Sequence, residues 1–87
     1  MNKAEQAHWD QLGHPAVIDT AILLEAIATK GVTRRYIAGL YGISIRLQFG
    51  LTDWSVVNHA IMTRWSYSGL QWIKNLATRA VEEAVTV

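Results

Sequence analysis

Between Ala26 and Val81 the chain holds Lys30, Arg34, Arg35, Arg46, Arg64, Lys74 and Arg79 against one carboxylate, Asp53, a local charge of +6. Five of these seven are arginines, whose planar fork pairs with phosphate on two points where lysine offers one. The flanks have the opposite sign: residues 1–25 carry −3, and Glu82 with Glu83 adds −2, which leaves +1 for all 87 residues. A basic block of this kind suits a surface that follows a nucleic-acid backbone. Arg34, Arg35, Arg46, Arg64 and Lys74 are the candidate phosphate contacts. The competing reading is a scatter of surface charge offset by the acidic ends, and the isoelectric point of 8.2 falls short of the value of about 9 expected of such domains.

Base recognition needs side chains that both donate and accept, and Asn58, Ser55, His59 and Thr63 supply them within one short segment. Asn58 is the strongest of the four, since an amide pairs bidentately with adenine. Other chemistry finds less support. His8, His14 and His59 with Asp10 are candidate metal ligands, but His8 and His14 are six apart with Gly13 between them, so no metal site is expected. Serine, histidine and aspartate occur without a nucleophile elbow around the serine, and no phosphate-cradling glycine pattern occurs. The chain reads as a non-enzyme, with no cofactor and no small-molecule substrate.

Four tryptophans, three tyrosines and one phenylalanine are many aromatics for a chain of 9.7 kDa. A domain this small buries a modest share of its surface, and aromatics favour subunit interfaces, so a homodimer is expected. Trp54, Trp65 and Trp72 fall on apolar stripes and read as core. Trp9 lies in a polar segment and reads as a protein contact. With no cysteine there is no disulfide framework, and Met1 to Leu12 has no basic patch leading into an apolar run. The expected setting is the cytoplasm, away from membranes.

These residues need helices to hold them. Asn2 with Glu5 is a capping box, and Gly13 is a stop, for a first helix over Asn2 to Leu12. Pro15 opens a second through Lys30, apolar on nearly every side and therefore central. Thr33 caps a third through Tyr41, with Gly42 ending it. From Tyr41 to Thr52 apolar and polar letters alternate, which predicts a strand near 43–49, with a helix as the alternative. Thr52 caps a helix through Arg64 carrying Trp54, Val57, Ile61 and Trp65 as its stripe. Ser68 with Gln71 caps the last, Gly69 to Ala84, with Leu70, Ile73, Ala77, Ala80 and Ala84 inward.

Three runs resemble DNA-binding families. Ile22 to Ser44, ILLEAIATKGVTRRYIAGLYGIS, resembles the first two helices of a helix-turn-helix, with Ala38 at the crossing, which implies a recognition helix from Ser44. Phe49 to Ile61, FGLTDWSVVNHAI, is similar to a recognition turn through Gly50, Thr52 and Val56, and also to the helix before the recognition motif of winged-helix repressors of the multiple-antibiotic-resistance type. Ile43 to Val85 is similar to ribbon-helix-helix proteins, which implies that Ser44, Arg46 and Gln48 face the major groove and Ser68 binds phosphate.

The expectation is a mainly α, compact bundle of four to five short helices, one domain over 1–87, with the strand near 43–49 as its one variable. Its expected function is a small dimeric DNA-binding transcriptional regulator. The alternative is a helical interaction module of phage or plasmid accessory type that inhibits or recruits a partner protein.

Overall fold

The computed structural model describes residues 1–47 and 52–85, with side chains as far as Glu83. Four helices follow one another: α1 Lys3–Leu12, α2 Thr20–Ala28, α3 Arg34–Leu47 and α4 Trp54–Val85. Among the described residues there is no strand. No described helix is long and apolar enough to cross a membrane.

Short-range signals act where the sequence puts them. The Glu5 N–H donates to Asn2 Oδ1 over 2.7 Å at the start of α1, and Gly13 closes it in the left-handed region at φ 77°. The second helix begins later than Pro15. Gly13 and His14, at φ 53°, turn the chain back, and Asp19 then caps α2 by accepting from the Ile22 N–H at 3.0 Å. Ile18, in the connection between them, is fully buried. Helix α2 is not central either: Leu23, Ala26 and Ile27 are buried, but Ala21 and Ala28 are exposed.

The central element is α3. It does not stop at Gly42 but runs on to Leu47, so residues 43–47 are helix where alternation predicts strand; Gln48 and Phe49 lie outside the described residues. The reason is packing. A Cβ on Gly42 would stand 3.1 Å from Ala80 Cβ and 3.4 Å from the Ala77 carbonyl oxygen, so this glycine lets α4 cross close above α3 rather than ending it. Ile37, Ala38, Leu40, Tyr41 and Ser44 are buried at helical spacing, whereas Leu47 is half exposed. Ser44, expected to face a DNA groove, is fully buried and hydrogen-bonds Thr52.

Helix α4 is bent at Ser66, whose φ of 72° and ψ of 175° break it into a 54–65 arm and a 67–85 arm. Val57 and Ile61 from the first arm, and Leu70, Ile73 and Ala77 from the second, close one core with Leu23, Ile27, Ile37 and Leu40. Tyr41 and Trp54 pack against each other at a tilt of 30° with ring centroids 3.4 Å apart. Burial pushes the Tyr41 hydroxyl up to about 12.

Candidate functional site

Along α3, Arg35, Gly39, Gly42 and Arg46 are spaced four, three and four apart, which puts them on one stripe. The two arginines stand eleven residues apart, or about 16 Å at 1.5 Å per residue. Ala80 fills the notch at Gly42, but a Cβ on Gly39 would find nothing within 4 Å. Gly39 is therefore the open floor of a groove.

Its walls come from both neighbours. On one side a hollow of about 290 Å³ is lined by Met1, Trp9, Tyr36, Leu40 and Ile43 together with Arg35 and Gly39. On the other, one of about 260 Å³ is formed with Leu76, Arg79, Ala80 and Glu83 of the 67–85 arm. Arg46 joins Gly39, Gly42, Ile43 and Ala80 around a smaller hollow of about 50 Å³. The result is an apolar floor with Arg35, Arg46 and Arg79 around it and one carboxylate, Glu83, at the rim.

Helix α1 is held against α3 by polar ties. Thr33 caps α3 by accepting from the Tyr36 N–H at 3.1 Å, while its own hydroxyl donates to the Glu5 carboxylate at 2.8 Å. Asn2 Nδ2 donates to the same Glu5 oxygen at 3.0 Å. Buried His8 sets Nδ1 3.2 Å from the Tyr36 hydroxyl, and its Nε2 is buried with no hydrogen-bond partner. Burial, with the Glu5 charge behind it, raises the Tyr36 hydroxyl above its ordinary range. Trp9 stacks on His14 at 5.7 Å and 13°. His14 Nε2 stands 2.7 Å from Asp10 Oδ1, and that hydrogen bond, with a second from Gln6, holds the Asp10 carboxyl below its usual range.

The sequence-derived site residues divide among several places. Arg35 and Arg46 line the groove. Arg34 is exposed at the start of α3, and its Cζ lies 3.4 Å from where a Gly69 Cβ would stand. Arg64 is exposed, with Cζ 5.6 Å from the centre of the Trp65 ring. Lys74 is half buried. Ser55, Asn58, His59 and Thr63 do not line the groove. Ser55 donates to Asp53 at 2.9 Å, and Thr63 donates back to the His59 carbonyl at 2.8 Å. The Oδ1 of Asn58 is buried without a partner, which removes one half of a two-point contact to adenine from the surface. His59 is exposed on the 54–65 arm.

Sequence reasoning missed Arg79, Tyr36 and Gly39 as site residues. The four-three-four spacing of Arg35, Gly39, Gly42 and Arg46 was the available signal, hidden by ending α3 at Gly42. Among the described residues no group of three or more His, Asp or Glu side chains could hold a metal ion. No family model, curated protein or solved structure matches the chain.

Proposed function

We propose that this chain is a small helical interaction module that captures an acidic, apolar-faced helix of a partner protein in the groove along α3. The observation that carries this reading is the open notch at Gly39 between Trp9 and Tyr36 on one side and Leu76 and Ala80 on the other, with Arg35, Arg46 and Arg79 around it. A floor without a side chain lets a helix backbone approach closely, and apolar walls supply the desolvated centre that recognition by helix-in-groove needs. The three arginines select for carboxylates and against basic partners.

The test is capture that maps to the groove. Partner recovered from the cytoplasm should be lost with Gly39→Leu, which fills the notch, and with Arg35→Glu, but kept with His59→Ala and Thr63→Ala. Circular dichroism shows that each variant is folded. Equal loss, or no loss, across both pairs refutes the reading.

A DNA-binding regulator is the second reading. It is favoured by α2 and α3 following one another across a turn with Gly31 at φ 90°, as in the helix-turn-helix resemblance, and by exposed Arg34 and Arg35 at the start of α3. Against it, α3 runs unbroken through Ser44 to Leu47 and Ser44 is fully buried, so no recognition helix begins where that resemblance places one. Gel-shift titrations at two salt concentrations decide it: retention that weakens as salt rises supports DNA binding, and no retention at low salt ends it.

A further inference from the structure

Ser66 stands at φ 72°, ψ 175°, a region in which essentially only glycine is comfortable. The residues on both sides are helical, and no proline or glycine stands at the break. Ser66, Tyr67 and Ser68 are all exposed, so no burial holds the bend in place from its outer side. The Ser66 and Ser68 hydroxyls stand 3.2 Å apart across the bend, and beyond it the 67–85 arm is anchored where Leu70, Ile73 and Ala77 are buried and Ala80 settles on Gly42.

Gly69 reports on the same bend from the opposite direction. A Cβ at Gly69 would come within 2.6 Å of Trp65 Cβ, closer than real Cβ atoms approach. In a straight helix residues four apart keep their Cβ atoms about 5–6 Å apart, so residue 69 has to be glycine only when α4 is bent. One position thus suits the bend and another opposes it. Straightened, α4 would run as 32 continuous residues, or about 48 Å, well beyond the 32 Å of the molecule's longest extent. The extended arm would leave the face of α3 around Ala38 and Gly42 bare, and the one surface shaped to cover it is the same arm of another copy.

We infer that the 67–85 arm exchanges between two copies of this chain, with Ser66 as the hinge. In the exchanged dimer each arm makes on the partner's α3 the packing that it makes here on its own. Both hinges return to helical angles. Exchange of an identical element across a strained hinge is a low-cost route to a dimer. This rests on Ser66 and Gly69 and not on groove occupancy.

The experiment is light scattering on the whole chain after refolding over a range of concentrations, comparing wild type with Ser66→Gly and Gly69→Ala. Wild type should show a concentration-dependent dimer. Ser66→Gly relieves the bent form and should weaken that dimer by about tenfold or more. Gly69→Ala closes off the bent form and should strengthen it. Because the chain has no cysteine, Gly42→Cys with Ala80→Cys gives a further readout. Under mild oxidation the dimer should become covalent, since the pair then bridges two chains. A wild type and Gly69→Ala that both stay monomeric overturn the inference. So does a dimer insensitive to both substitutions, or one whose cysteine pair closes within a single chain.

Discussion

Gly39 and Gly42 stand three residues apart on α3, and the same substitution should act on them in opposite directions. In a helix interior Gly→Ala gains about 1 kcal/mol, because alanine loses less conformational freedom on folding. At Gly39 nothing stands within 4 Å of the new methyl group, so that gain should appear whole. At Gly42 the methyl would meet Ala80 Cβ at 3.1 Å and the Ala77 carbonyl oxygen at 3.4 Å, and the arm must move by some tenths of an ångström to admit it. Overpacking of this kind costs about 1–3 kcal/mol. Gly42→Ala should therefore run from neutral to about 2 kcal/mol destabilising, and the two variants should differ by about 1–3 kcal/mol. Urea unfolding followed by circular dichroism measures this directly. In thermal melts each kcal/mol corresponds to about 4–8 °C for a domain of this size. If Gly42→Ala is as stabilising as Gly39→Ala, the 67–85 arm does not lie on α3 as described, and both the groove wall and the exchange lose their basis.

Three further outcomes are expected. Thr33→Val removes both the cap of α3 and one donor to buried Glu5, and should destabilise by about 2–3 kcal/mol in thermal melts, whereas Thr33→Ser should recover most of it. The Asp10 carboxyl, held down by His14 and Gln6, contributes stability that is present above its ordinary 3.8 and lost as pH falls through its lower folded value. An NMR titration should place its midpoint under 3.8, and His14→Ala should bring it back up. Tyr41 works in the other direction: its favoured neutral form contributes stability present below pH 10.0 and lost as pH rises toward about 12. Phenolate absorbance should show this late ionisation coinciding with loss of helix, and Tyr41→Phe should remove its share.

What could be read from the sequence was local. Asn2, Glu5 and Gly13 bound α1 because a cap needs only residues within a few positions of one another, but Thr52, expected as the cap of the following helix, lies ahead of the start of α4 at Trp54 and hydrogen-bonds Ser44 instead. What could not be read depends on residues far apart. Alternation over 41–47 arises because Ile43 and Ile45 are half buried and Leu47 half exposed on the outer side of a helix, while Ser44 points in toward Thr52. Gly42 reads as a stop until Ala77 and Ala80 are seen above it, 35 and 38 positions later. Ser68 with Gln71 looked like the helix start, yet the chain turns at Ser66, since the arm's packing on α3 sets the direction. The arginines could be counted but not sorted: Arg35, Arg46 and Arg79 share a groove, and Arg34 and Arg64 lie beside Gly69 and Trp65 near the bend.

That sorting separates the two functional readings by one measurement on whichever ligand is found. In the bent monomer and in the exchanged dimer the groove has the same walls, from α1, α3 and a 67–85 arm. A ligand confined to the groove therefore has no differential affinity for the two forms and leaves their equilibrium unchanged, however tightly it binds. Arg34, Arg64, Trp65 and Gly69 are different, because straightening Ser66 rearranges the surface they form. A ligand gripped there, such as a phosphate backbone held by Arg34 and Arg64, binds one form better and must shift the balance. Measured by light scattering, an unchanged dimer fraction on saturation with ligand places the ligand in the groove. A fraction that moves, and stops moving with Arg34→Gln and Arg64→Gln, places it at the hinge.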